Sequence, residues 1–197
     1  SREAASLPRI EISSALPGRA YFQTPELLVF AFDHTPAPAT RYTVTLRPPP
    51  APSAPARWSA LQATGGAALT WAFETTRPSV EGFGPAESSE PRSRTAQVVI
   101  ETTQRVNPAR VASLLRAQVV VAGKLGPIVP VRVEPATEAD LQRAEIYRSL
   151  RGGEAGHFLR VRPQTIWPIG AKIRLSLPAG WPGEEGPLPA ATPWETE

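Results

Sequence analysis

The stretch "LVFAFDHTPAPATRYTVTL", residues 28–46, decides the fold. It opens on a dense apolar run, turns through Pro36 and Pro38, and resumes with strict alternation. In the second half Tyr42, Val44 and Leu46 fall on one face, which is the period of a half-buried strand. Proline sets a fixed φ and removes a backbone donor, so the two prolines mark a corner rather than a helix turn. Two strands around a stiff corner are therefore the local reading.

The same rhythm extends in both directions. "RIEIS" (9–13) alternates as a strand, and "ALPGRAYFQTP" (15–25) reads as a turn-rich connection. "ELLVFAF" (26–32) is expected to be the more fully buried strand. "PPPAPSAPA" (48–56) is too proline-rich for helix or strand and reads as an extended, solvated loop. "LTWAFETT" (69–76) returns to strand, with Leu69, Trp71 and Phe73 on one face. A boundary is placed near Arg77–Pro78. The polar, Pro/Gly/Ser-rich segment that follows, up to 94, reads as loop.

Beyond it, "TAQVVIETT" (95–103), "RAQVVVAG" (116–123), "IVPVRVEP" (128–135), "HFLRVRP" (157–163) and "AKIRLSLP" (171–178) read as strands. "GKLGP" reads as a turn. Asn107 with Pro108 announces one or two helical turns. Thr137, Glu138 and Asp140 open the one good helix, expected over 138–150 and ended by Gly152 and Gly153. "GWPGEEGPLPAATPW" is a closing loop with room for one short pairing. About four strands before the boundary and five or six after it, at short spacing, predict an all-β chain. The expectation is two immunoglobulin-like β-sandwich modules in tandem, 1–77 and 78–197, with one short helix in the second. The first module has too few strands to enclose its core, so the chain is expected to begin inside a domain.

Composition agrees. Of 197 residues, 24 are proline, which argues against a helical bundle and for short strands with stiff loops. The pI near 9.8 invites a nucleic-acid reading, but the net charge is only +3 and the arginines are scattered rather than striped, so no nucleic-acid partner is expected. There is no cysteine, which excludes disulfides, thiolate metal sites and thioesters within this chain. No apolar run reaches the ~20 residues of a membrane-spanning helix.

Several of these residues together resemble a family. Pro38, Ala39, Thr40, Tyr42 and Val44 match a "Pro-Ala-x-Thr-x-Tyr-x-Val" corner. Phe73, Thr75, Pro78 and Val80 match the exit "Phe-x-Thr-x-x-Pro-x-Val", and Gln104, Val106 and Pro108 match "Gln-x-Val-x-Pro" in the next module. "GPLPA" (186–190) fits as well. In this order they resemble the N-terminal immunoglobulin-like, macroglobulin-like modules of bacterial alpha-2-macroglobulins. The likeness runs from about residue 9 to the end of the chain and departs near Thr102, where the family has phenylalanine. It implies a role in a periplasmic or extracellular protease trap, in which a protease cuts a bait segment and the molecule rearranges around it. The expected role is to frame that trap without carrying bait or thioester. The partners implied are other domains of the same polypeptide and, through the intact protein, proteases; anchoring would come from a segment outside this chain. The runner-up is an immunoglobulin-like module of a bacterial surface or adhesion protein that binds glycan or protein.

Chemistry-bearing residues are few, and no enzyme, cofactor or metal is expected. Asp33 and His34 suggest an acid–base pair, but a polar corner beside Pro36 is the favoured explanation, since no third partner is identifiable. His157 stands far from His34 in sequence, and two histidines without cysteine make a poor zinc site. Glu184 and Glu185 read as a solvated pair, and Asp140 and Glu145 as helix-surface charges. Trp58, Trp71, Trp167, Trp181 and Trp194 could stack on sugars, although packing is the commoner use of indoles. Trp181 and Trp194, both in Pro/Gly-rich loops, are the candidate binding residues.

Overall fold

The computed structural model describes residues 8–13, 16–24, 27–47, 67–85, 95–143 and 156–197. The chain divides into two compact units, Ser1–Thr75 and Thr76–Glu197. Both are built from antiparallel sheets, so the fold is all-β and of the sandwich kind.

The first unit contains β1 (Arg9–Ile12), β2 (Gly18–Thr24), β3 (Leu27–Phe32), β4 (Arg41–Arg47) and β5 (Leu69–Glu74). One sheet runs β1-β4-β5; β2 and β3 form a hairpin. Strand β4 behaves as its alternation demands: Tyr42, Val44 and Leu46 are buried and their neighbours are not. Tyr42 pairs across the ladder with Phe73 and stacks on it, centroids 5.3 Å apart. Two expectations change here. The "turn-rich" segment contains a strand, β2, which pairs with β3 from Gly18↔Phe32 onward. β3 is half-buried rather than fully buried, and on β5 Trp71 remains 48% exposed.

The second unit contains β6 (Val80–Pro85), β7 (Val98–Thr102), α1 (Pro108–Leu114), β8 (Arg116–Val121), β9 (Lys124–Ile128), β10 (Val131–Pro135), α2 (Glu138–Arg143), β11 (Phe158–Pro163), β12 (Lys172–Leu177) and β13 (Trp194–Thr196). One sheet is β10-β11-β7-β6 and the other β13-β12-β8-β9. Ile100, Val133, Leu159 and Val161 from the first meet Leu177 from the second, with α1, Trp181 and Ala190 completing the cluster. Ala117, Val119 and Leu175 make a second cluster alongside. Asn107 caps α1 as expected, accepting from the N–H groups of Ala109 and Arg110.

Four corrections apply to this unit. Val80–Pro85 is a strand, not loop, paired to β7 through a bulge after Val80. "GKLGP" is not a turn: Ala122 and Gly123, both at positive φ, make the turn, and Lys124 starts β9. Two helices are described rather than one. Asp140 is not a surface charge. It is 6% exposed, accepts from Thr137 N–H (2.8 Å) and hydroxyl (2.7 Å), and meets Arg160 Nη1 at 3.2 Å. Thr137 and Asp140 thus form a reciprocal cap, and Leu141 packs beside Val99 and Phe158, laying α2 over the outer face of its sheet. The expected helix beyond Arg143, Glu145, the proline-rich loop at 48–56, the segment 86–94 and Trp58 lie outside the described residues.

Candidate functional site

A cleft of about 670 Å³ opens in the second unit. Its position follows from the topology. β6 ends one sheet and β13 ends the other, so at this side of the sandwich the two sheets part without a strand between them. Phe83 and Pro85 line it from β6; Ile173 and Leu175 rise from β12; Trp167 and Ile169 come from the loop between β11 and β12. That loop is pinned where Trp167 Nε1 donates to Ala96 O at 2.7 Å. Phe83 also meets Trp194 edge-on, centroids 5.9 Å apart.

The lining is mostly apolar. Among the described residues that line it, Glu197 is the only ionisable group, and its carboxylate is tied to the Arg174 guanidinium. Gln97 supplies a side-chain amide. Ile169 is 79% exposed and Phe83 44%, so apolar surface is left facing water at the mouth. Such a lining can hold an apolar group and orient it by one hydrogen bond; it offers no nucleophile–base pair.

The residues singled out by sequence are dispersed. Trp181 is 1% exposed and belongs to the core, so its indole is closed to a ligand at the surface. Trp194 is half-buried on β13, packed against both core clusters. His34 is exposed on its corner. His157 and Glu185, far apart in sequence, are brought together: Nε2 lies 3.1 Å from Oε1. The same oxygen accepts from Arg105 N–H at 3.1 Å and from Arg105 Nε at 3.3 Å. Burial pushes the Glu185 carboxyl up, but the Arg105 N–H, His157 and the Arg105 side chain outweigh it and hold it below the usual range. Glu101, nearby, goes the other way: burial first and Glu81 second push it up, against a smaller opposing pull from His157. The group latches the closing loop beside the sheet. Among the described residues no three His, Asp or Glu side chains are grouped to hold a metal ion.

No family model matches this chain, and no curated protein does.

Sequence reasoning named Trp167 only as one of five tryptophans and missed the cleft. The available signal was "TIWPIG" (165–170), in which Ile166, Trp167 and Ile169 flank Pro168 ahead of Gly170, with no alternating pattern to bury them.

Most of the residues that carried the resemblance have structural duties. Tyr42 Oη accepts from Ala37 N–H at 3.0 Å. Thr75 Oγ1 accepts from Thr40 N–H at 2.9 Å and donates to Ala37 O at 2.7 Å. Ala39, fully buried at φ 43, makes the bend between them. In the second unit Gln104, 1% exposed, donates from Nε2 to Thr76 O at 2.5 Å, and Gly183 lies so close to Gln104 and Pro78 that a side chain there would clash with both. Thr102 Oγ1 lies within hydrogen-bond reach of Gln104 O and His157 O. Val106 is in the core and Pro108 starts α1.

Proposed function

We propose that this chain is a pair of non-catalytic framing modules of a bacterial alpha-2-macroglobulin-like protease trap, working in the periplasm or outside the cell. One observation carries the reading. Tyr42, Thr40, Thr75, Gln104, Val106 and Pro108, all matched to the family's motifs, are spent on a corner, a cap or a buried contact, which is what an architectural role requires of a motif. The Tyr42 hydroxyl bonded to the backbone five residues upstream is also the device that immunoglobulin-type sandwiches use at a strand corner, which supports that finer fold assignment. The partners in this reading are neighbouring domains of the same polypeptide and the proteases that the intact protein meets. No helix among the described residues is long and apolar enough to cross a membrane, so this reading assigns anchoring to another segment.

The test is to incubate the intact protein containing this chain with active proteases and to follow both by size-exclusion chromatography. The expected result is cleavage of the intact protein at a site outside this chain, with the protease co-eluting. A protease that never co-elutes, or that turns the protein over without being held, overturns the proposal.

The reading as a surface or adhesion module draws support from a different observation, the apolar cleft, and loses its sugar platform with the burial of Trp181.

A further inference from the structure

We propose that the cleft between β6, β12 and the Trp167 loop is a binding site for an uncharged, largely apolar small molecule bearing one hydrogen-bond donor. The inference stands apart from the framing role, since it uses none of the residues that form the corners.

Size is the first argument. A cleft of about 670 Å³ falls inside the range of a few hundred to about 1,000 Å³ typical of small-molecule sites. Such sites combine apolar and aromatic walls with a few polar groups that fix orientation. Here Phe83, Trp167, Ile173 and Leu175 make the walls and Gln97 the polar group.

Charge is the second. The one ionisable side chain in the lining, Glu197, already faces Arg174, so among the described residues no lining side chain offers a free charge to compensate an ionic ligand. Desolvating an uncompensated charge there is unfavourable, which selects a neutral occupant. The Gln97 Oε1 atom is buried and has no hydrogen-bond partner among the described residues, so a ligand N–H or O–H that draws it round into the cleft relieves an unsatisfied acceptor.

The competing occupant is an added peptide strand. β6 is the free edge beside the cleft, and it contains Gly82, Gly84 and Pro85. Proline has no N–H to donate, and the glycines present no side chains to grip a partner, so this edge is a poor template for strand addition. A small molecule, held by side chains rather than by the backbone ladder, does not need that template.

The probe is N-phenyl-1-naphthylamine, a neutral aromatic amine with one N–H whose fluorescence rises in apolar surroundings. It is titrated into the full chain while the protein is followed by sedimentation. The expected result is saturable binding of one dye per chain to a monomer. Ile169→Glu should weaken it at least about tenfold by placing a charge at the apolar mouth. Ile169 is 79% exposed, so that change leaves the unfolding midpoint in place. Leu125→Glu, at a 53% exposed site on β9 away from the cleft, should leave binding unchanged. The anionic relative 1-anilinonaphthalene-8-sulfonate should bind more weakly than the amine. Unsaturable binding, equal loss from Ile169→Glu and Leu125→Glu, or equal affinity for the anionic dye overturns the assignment. So does a dimer whose formation competes with the dye, which would make the cleft an interface between copies.

Discussion

Tyr42 shows how one side chain can serve a corner and a core together. Its ring is 2% exposed and stacks on Phe73, while its hydroxyl closes the turn by accepting the Ala37 N–H. Replacing it by phenylalanine keeps the ring and removes only the acceptor. Tyr42→Phe is therefore expected to cost about 1 kcal/mol, somewhat more if the Ala37 N–H finds no water. Denaturant unfolding of the chain checks this; an unchanged midpoint would mean that the corner is held by Thr75 and Ala39 alone. The ring's burial was legible, because Tyr42, Val44 and Leu46 alternate cleanly. The hydroxyl's partner was not, because nothing in the spacing says which backbone group lies opposite. Asp140 makes the same point. As a letter it is a helix-start acid; only the fold brings Arg160 to it, from a strand 20 residues away by sequence, where the same guanidinium also binds Glu134.

Among elements, the strands that alternation revealed are those that bury a face, such as β4, β8, β11 and β12. Those it missed are β2, β6 and β9, and all three lie at sheet edges or in the isolated hairpin. Each contains glycine, and β6 and β9 contain proline as well. Edge strands tolerate both residues because one side of the strand has no ladder to maintain. They show turn chemistry in the sequence and strand geometry in the fold. The cleft was hidden for the same reason, since one wall belongs to β6. Helix α2 was legible at its start, and its tie to the sheet gives a pH-dependent contribution. Burial pushes the Asp140 carboxyl up, but the Thr137 hydrogen bonds and Arg160 outweigh it and hold it below its ordinary 3.8. A carboxyl depressed in the folded state stabilises above its unfolded pKa and stops doing so as pH falls through its folded one. Asp140→Asn should accordingly destabilise by about 1.5–3 kcal/mol at pH 7, the usual range for hydrogen bonds to a charged group. The gap to the parent protein should narrow steadily below the ordinary aspartate range. Unfolding midpoints of both proteins from neutral to strongly acid pH test it, and a gap that widens on acidification would be the contrary result.

At the scale of the molecule, the sequence disclosed an all-β chain because strands, prolines and short spacings all pointed one way. It disclosed a resemblance through residues whose work is structural, and that is why the proposed role is a frame. A frame must keep its shape while other parts move. Hydrogen exchange across this chain within the intact protein, before and after a protease cuts it, measures that requirement directly. The amides of Ala37, Thr40 and Thr75 close the corner of the first unit, and that of Thr102, bonded to His157 O, sits beside the buried Gln104 of the second. The account predicts that all four keep their protection through the cut, with changes confined to other domains. Loss of protection at these amides on cutting would make the chain part of the moving machinery and would contradict the framing role.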